Sequence, residues 1–238
     1  EIKCTPTTPP SLSYQVFSEV NDNCKIYVPA GAYDAYVSAE GWSEYKDMIV
    51  KPTPAVQSQI FYTTTDGNVV SLYDTTVFLD ADGNSLNIVS NIYENGQGVI
   101  TLDGEVKTIG SAFANRSTLE SVIIPEGVTR IGYPSEETTR AIGVTISSIF
   151  WNCTSLIDVK LPESLAILGR YTFKGCSQLG SVDIPDGVDT IAEYTFENCK
   201  NLTSITIPDG VIYIGSYAFN GCSGLTSITI PDGVTSIE

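Results

Sequence analysis

The chain is built from a repeat of constant length. Two residue types recur with one period along its second half: Phe150, Phe173, Phe196 and Phe219, and Pro185, Pro208 and Pro231. The period is 23 in residue number, since 173 − 150 and 208 − 185 both equal 23. Two unrelated columns that keep one period are not expected by chance, and such periods are typical of stacked repeat units. The repeat therefore limits the chain to an array fold, in which each unit contacts its neighbours.

Each unit carries one short strand followed by a turn. In the last unit Ile228 and Ile230 alternate with Ser227 and Thr229, so the isoleucines are predicted to point inward and the polar side chains outward. The strand ends at proline, and an Asp-Gly pair supplies the turn. One unit cannot bury its own apolar side chains, so we expect the units to stack and share a core.

The spacing is broken once. Phe113 opens an earlier unit, but its interval to the next phenylalanine, Phe150, is 150 − 113 = 37 instead of 23. The excess of 37 − 23 = 14 implies an insertion of that length. We place the insertion near 133–146, where Tyr133 and Arg140 are candidate contact residues. An irregular loop on a regular scaffold is where function often lies.

The segment from Cys199 to Phe219 closely resembles the repeat of BspA-like leucine-rich repeat proteins, Cys-x-x-Leu-x-x-Ile-x-Ile-Pro-x-x-Val-x-x-Ile-Gly-x-x-Ala-Phe. The resemblance extends over 99–238. It implies a right-handed, β-rich leucine-rich repeat solenoid with a parallel sheet. It further implies a secreted or cell-surface bacterial protein, with its signal and anchor outside this chain, that adheres to a host matrix protein, another cell or a glycan.

Residues 1–52 have a different pattern. The segment Ile26 to Pro29 has the spacing of a repeat strand, and Tyr33 and Tyr36 then follow a helical period. A second short helix is predicted next, with Ser43 as its N-cap. In related proteins a segment of this kind closes a repeat array. The resemblance therefore implies that residues 1–52 are the end of one array with a small α+β capping module.

The rest of the chain is expected to fall into three parts. Residues 53–59 form a linker, 60–98 form a β-hairpin that caps a second array, and 99–238 form the leucine-rich repeats with their insertion. The turn of the hairpin is predicted at Asp66-Gly67. The chain stops at Glu238, directly after Ile237, without a polar cap, so we expect the natural protein to continue beyond this point.

The composition argues against several classes of function. The chain has no histidine, which removes the commonest general base and most zinc and haem sites. It has 12 Lys and Arg against 28 Asp and Glu, a net charge of −16, so nucleic acid and anionic membranes are poor partners. No apolar run approaches the roughly 20 residues of a membrane span. We expect no nucleic-acid partner and no membrane insertion within this chain.

The cysteines fall into two groups. Four share the repeat period and are expected to form an inward structural ladder: Cys153, Cys176, Cys199 and Cys222. No CxxC pair or converging ligand set accompanies them, so we expect neither a metal nor another cofactor. Cys4 and Cys24 lie outside the ladder. A disulfide between Cys4 and Cys24 remains an alternative, although the repeat frame places the two residues at different heights along neighbouring strands.

Two exposed columns along the predicted strand face are the candidate binding residues. The first is Ser121, Asp158, Ser181, Ser204 and Ser227, and the second is Ile123, Lys160, Asp183, Thr206 and Thr229. An extended strand face is where stacked repeats usually bind partners. Serine and threonine are also what a plain solvated strand carries, so a solvated face without a ligand is the alternative.

Three functions are compatible with these observations. The preferred one, carried by the resemblance alone, is a non-enzymatic adhesion or interaction module that binds a host or cell-surface protein or a glycan. The second is a spacer segment of a larger surface protein without a ligand of its own, which smooth repeats with small polar columns favour. The third and most remote is a β-solenoid polysaccharide hydrolase or lyase that uses paired carboxylates, although no polar cluster departs from the repeat frame.

Overall fold

The computed structural model describes residues 2–4, 8–12, 17, 24–28, 33–50, 57–132 and 149–238. The chain divides into two compact units, residues 1–56 and 57–238. The insertion predicted near 133–146 and residues 53–56 of the predicted linker lie outside the described residues.

The first unit is a small parallel sheet with two short helices. Its strands β1 (Ile2–Lys3), β2 (Ile26–Tyr27) and β3 (Ile49–Val50) lie in the order β1-β2-β3. The helix α1 (Tyr33–Ser38) and a 3₁₀ helix (Ser43–Tyr45) lie between β2 and β3 in the chain. The unit thus contains both secondary structures that the sequence predicts for it.

Trp42 is the centre of the first unit's core. Its buried indole N–H donates a hydrogen bond of 2.7 Å to the carbonyl of Pro10, and the Tyr36 ring meets it edge-on at 4.7 Å. This packing fixes the start of the 3₁₀ helix, so Trp42 rather than Ser43 occupies the N-cap, and no side chain caps the helix there. The prediction of Ser43 as N-cap is therefore wrong.

The second unit is almost entirely strands and turns. Its described strands are β4 (Gln59–Thr64), β5 (Phe78–Leu79), β6 (Ile88–Glu94), β7 (Gln97–Leu102), β8 (Thr108–Ile109), β9 (Leu119–Ile123), β10 (Arg130–Ile131), β11 (Asp158–Lys160), β12 (Ile167–Leu168), β13 (Thr190–Ile191), β14 (Tyr213–Ile214) and β15 (Ser236–Ile237). They form three sheets, with the orders β11-β9-β4-β7-β6, β12-β10-β8-β5 and β13-β14-β15.

Stacked phenylalanine rings hold successive repeats together. The ring centroids of Phe113, Phe150, Phe173, Phe196 and Phe219 follow one another at 5.9, 5.5, 5.4 and 5.4 Å with nearly parallel planes. The first four rings are fully buried. Each repeat therefore adds one aromatic layer to a continuous core, at the contact distances that favour offset stacking.

A backbone ladder and a thiol ladder accompany the ring stack. The amides of the first four phenylalanines of the stack each donate to a carbonyl of the next repeat, as from Phe173 to Thr195 at 2.8 Å. Each ladder cysteine donates its S–H to the carbonyl of a phenylalanine in an earlier repeat; the pairs are Cys153 to Phe113, Cys176 to Phe150, Cys199 to Phe173 and Cys222 to Phe196, at 3.0–3.1 Å. Phe173 thus uses both its amide and its carbonyl to bond to the following repeat.

The position two residues after each phenylalanine turns the chain left-handed. It is occupied by Asn115, Asn152, Gly175, Asn198 and Gly221, all at φ between 58° and 77°. Asparagine and glycine are the residues that enter this region at the least cost. Only Asn and Gly occupy this position of the repeat because the backbone there has a positive φ.

The hairpin predicted at Asp66-Gly67 is wrong. Strand β4 pairs antiparallel with β7 and β9, and no strand forms at 68–73. The hairpin of this region is β6–β7, whose turn residues Asn95 and Gly96 have φ of 53° and 82°. Both positive angles are those of the two-residue hairpin turn whose twist matches that of the flanking strands. The chain therefore forms its hairpin at Asn95-Gly96 and not at Asp66-Gly67.

The sheets also differ from the wholly parallel one that the sequence predicts. Repeat strands pair in parallel, but β4 to β7 add antiparallel pairs, so the five- and four-stranded sheets are mixed. Regular strands form at β9 and β11, next to the long strand β4. The equivalent segments of the following repeats share only the bridge Asp183–Thr206.

The strand isoleucines are buried inside the array but not at its last repeat. Ile184 and Ile207 are buried, whereas Ile230 is 40% exposed. Among the described residues, no following repeat covers Ile230. The inward direction predicted for Ile184 and Ile207 therefore agrees with their burial.

The phenylalanine stack predicts the stability of variants. Phe173→Ala should lower the free energy of unfolding by about 3–5 kcal/mol, because it removes a buried ring with stacked neighbours on both sides. The exposed Ile157→Ala is the control and should change it by less than about 0.5 kcal/mol. Urea unfolding monitored by circular dichroism measures both, and equal small losses would contradict the role of the stack.

Candidate functional site

The five-stranded sheet has a core face and an outer face. Ile60, Tyr62, Ile100, Val122 and Val159 point into the core and are buried. Their neighbours in the strands point the other way, because side chains alternate along a strand. The outer face therefore combines residues of the cap strands β4, β6 and β7 with the repeat strands β9 and β11.

One row of the outer face is apolar over four adjacent strands. The pairs Ile92–Val99, Val99–Phe61 and Phe61–Ile123 lie directly opposite each other, so their side chains share one face. Ile92 is 49% exposed and Ile123 is 41% exposed, and Phe61 and Val99 are half-buried. We call Ile92, Val99, Phe61 and Ile123 the apolar row.

The next residue of this row is charged. Lys160 on β11 pairs with Ile123, and the neighbouring pair is Asp158 with Ser121. Ser121 also shares a hydrogen bond of 2.8 Å with Thr63, whose hydroxyl donates to Glu120 at 3.2 Å. The candidate residues of the first two repeat strands thus lie beside cap-strand residues that sequence reasoning left out.

Three predicted binding residues line one cleft. Asp158, Lys160 and Asp183 surround a shallow space of about 520 Å³, together with Glu163 and Asp186 of the turns. All five side chains are exposed. Four carboxylates and one ammonium group give this cleft a negative character, which suits a positively charged contact.

The remaining predicted residues are placed less regularly. Ser181, Ser204, Thr206, Ser227 and Thr229 are all exposed, but apart from the bridge at Thr206 they belong to no strand. Their small polar side chains form a smooth surface. Tyr133 and Arg140 of the insertion lie outside the described residues.

A tyrosine ladder forms a second exposed feature. Tyr171, Tyr194 and Tyr217 stack at 4.9 and 5.0 Å, each with φ near 60°. Lys174 lies 5.0 Å from the Tyr194 ring and forms an ion pair of 2.6 Å with Glu197. Tyr217 is 57% exposed, so the ladder reaches the surface at its last ring. The three tyrosines share the repeat period, so the sequence alone could have predicted that they stack.

The ladder cysteines are unreactive by position. Burial raises the pKa of the Cys153 thiol to about 12 and that of Cys222 to about 11. It also raises the pKa of Cys176 and Cys199, and neighbouring thiols add to these shifts. Cys4 and Cys24 are both free thiols and partly exposed. No three or more His, Cys, Asp or Glu side chains within the described ranges converge as metal ligands would.

A profile of the BspA type leucine-rich repeat region matches residues 93–149 and 144–238 in six copies. The chain belongs to this family. The match covers the ring stack, the thiol ladder, strand β9 and strand β11, so the resemblance seen in the repeats is confirmed. In the described part of this BspA-type chain, no helix has the length and apolar character needed to cross a bilayer.

Solved structures of leucine-rich repeat proteins resemble this BspA-type chain. One from Eubacterium ventriosum is 29% identical with a TM-score of 0.45, over 56% of this chain and 32% of that one. A leucine rich cell surface protein from Faecalibacterium prausnitzii is 28% identical with a TM-score of 0.44, over 62% and 35%. A Bacteroides ovatus protein is 28% identical with a TM-score of 0.39, over 63% and 36%.

The chain spans about a third of the length of these solved structures. A search of curated proteins found no match.

Thiol labelling tests the placement of the cysteines in this BspA-type chain. Iodoacetamide at mildly alkaline pH should modify Cys4 and Cys24 first, because raised pKa values and burial protect the ladder thiols from forming the reactive thiolate. Mass spectrometry of the labelled peptides identifies the sites. In guanidinium chloride all six cysteines should react. Labelling of Cys176 or Cys199 in the native protein as fast as Cys24 would contradict the buried ladder.

Proposed function

We propose that this chain is a non-enzymatic protein-interaction module of a secreted or cell-surface adhesion protein. It contacts its partner through the outer face of the five-stranded sheet and the repeat columns beside it. The partner is a host protein, a cell-surface protein or a glycan. Membership of the BspA-type family supports this class of function, and the exposed apolar row supports the location.

The apolar row is the single observation that carries the proposal. Soluble proteins rarely leave adjacent large apolar side chains exposed in a contiguous patch, and such patches with a polar rim mark interaction sites. Here four strands place the patch beside Asp158 and Lys160, two of the residues that the repeat columns predict. An apolar centre with a charged border is the usual composition of a protein interface.

The stacked core favours binding without rearrangement. Ile123 and Lys160 sit on strands whose opposite faces carry Val122 and Val159, both buried in the core. Their side chains are therefore held on a surface that exists before a partner arrives. A surface that is already ordered reduces the conformational entropy that is lost on binding.

The finer architecture belongs to the same proposal. The repeats coil as a right-handed solenoid, 1–52 are the end of an earlier array with its cap, 53–59 link the arrays, 60–98 cap the second array and 99–238 carry the repeats. The parallel pairing of successive repeats and the division into units 1–56 and 57–238 support it.

A spacer segment without a ligand is the second candidate. The exposed columns of the later repeats favour it, because Ser181, Ser204 and Ser227 repeat one small polar side chain without any cluster. A spacer would carry binding sites elsewhere in a longer protein. The two functions differ in whether this chain binds anything alone.

Surface plasmon resonance distinguishes the two candidates. The purified chain is passed over immobilised fibronectin, fibrinogen, mucin and a glycan panel, beside a variant with Asp158, Lys160 and Asp183 changed to Ala. Saturable binding that the variant weakens about tenfold or more supports a site on the outer face.

The matched control changes Asp189, Lys200 and Asp232 to Ala, which removes the same charges from other exposed positions. Equal loss in this control would show only an effect of net charge. Absence of saturable binding to every surface would contradict the interaction module and favour the spacer.

A further inference from the structure

We infer that the apolar row anchors a protein partner whose contact surface presents apolar side chains flanked by lysine and arginine. This inference rests on the proposed function and names the chemistry of the partner. It also moves the centre of the site from the serine and threonine columns of the repeats to the cap strands β4, β6 and β7.

The geometry of the apolar row indicates which apolar side chains of a partner can cover it. Ile92, Val99, Phe61 and Ile123 lie on four adjacent strands at successive cross-strand positions. Neighbouring strands are about 4.8 Å apart, so the row is a narrow strip that several partner side chains can cover together. Aliphatic groups and one aromatic ring line this strip, and they offer no hydrogen bonds.

A glycan does not suit this strip. Sugar hydroxyls that are taken out of water need hydrogen-bond partners, and unpaired polar groups cost affinity. The four side chains of the apolar row supply none. An apolar protein side chain loses nothing in the same position.

The charges around the apolar row indicate which charge the partner's contact surface carries. Glu94, two residues from Ile92 on β6, is exposed on the same face, and Glu120 hydrogen-bonds to Thr63 in the neighbouring row. At the other end Asp158 and Asp183 border the cleft, with Lys160 between them. This acidic border attracts and orients a basic surface.

Two other occupants fit the charges poorly. A second copy of the chain would bring a net charge of −16 and the same acidic border against its own kind. An anionic membrane surface would be repelled in the same way. A basic, apolar protein surface satisfies both the strip and its border.

Synthetic peptides of equal length test the inference with the full chain. One peptide combines Leu and Phe with Lys and Arg, a second replaces the apolar residues by Ser, and a third replaces the basic residues by Glu. Fluorescence polarisation measures each dissociation constant. The first peptide should bind at least about tenfold more tightly than the other two.

Variants on the row locate the contact. The pair Ile92→Ser and Ile123→Ser should weaken binding of the first peptide about tenfold or more, because it removes both exposed ends of the strip. Ile212→Ser is the control, since Ile212 is also about half exposed (51%) but lies outside this sheet. Thermal unfolding of each variant checks that the fold is retained.

Several results would overturn the inference. Equal binding of the Ser-substituted peptide would show that charge alone acts, and undiminished binding by the row variants would place the contact elsewhere. Failure of all three peptides to bind would exclude this partner chemistry. A dimer in sedimentation equilibrium, or binding to phosphatidylcholine vesicles, that the row variants abolish would identify a second copy or a lipid surface as the occupant.

Failure of the inference is distinguishable from failure of the proposed function. If the chain binds an immobilised protein or glycan through Asp158, Lys160 and Asp183 but the row variants bind it equally well, the interaction module stands and the apolar anchor is wrong. If nothing on the panel binds and the peptides do not bind, both are wrong.

Discussion

The structure depends on the stacking of one phenylalanine per repeat. Each inner ring packs between the rings of its neighbours, and the backbone of Phe173 bonds to the following repeat through both its amide and its carbonyl. The Phe173 amide donates to Thr195, and the Phe173 carbonyl accepts the thiol of Cys199. A ring alone would leave the spacing of the repeats loose, whereas the ring with its two backbone bonds sets the spacing along the stack. Cysteine suits this position because it is small, apolar and a weak donor.

This stack determines what the surface can offer. Strand residues that alternate with Val122, Val159 and Val182 are forced outward, so the outer face is a consequence of the core. In the last two repeats the exposed column positions are serine and threonine and carry little specificity. Where the cap strands join the sheet, the exposed positions become apolar. The transition lies between Ile123 and Lys160, and it is there that a partner would find both an apolar strip and a charged border.

The repeat frame could be predicted from the sequence because its signal is a period. Phenylalanine, proline and cysteine recur at one constant interval, and the inward positions of Val182 and Ile184 follow from the alternation of side chains in an extended segment. These features depend only on near neighbours and on stacking. The buried core of the repeats therefore needed no knowledge of distant pairing.

The cap strands could not be predicted in the same way. Strand β4 pairs with β7 and β9, which lie far along the chain, and no local pattern encodes such partners. The nearer turn signal at Asp66-Gly67 therefore gave the wrong hairpin. Because the apolar row exists only through these distant pairs, it was also missed. The tyrosine ladder keeps the repeat period and could have been found from it, whereas the positive φ of its members could not, because this angle is rare for tyrosine.

Native-state hydrogen exchange of the free chain tests the central claim that the ring stack holds the outer face in place before a partner binds. We expect the amides of Phe150, Phe173 and Phe196 to exchange slowly, and the paired amides of β4 and β9 to open in the same cooperative step. Slow exchange in the stack with rapid exchange throughout β4 and β9 would contradict the claim. The outer face would then form independently of the repeats.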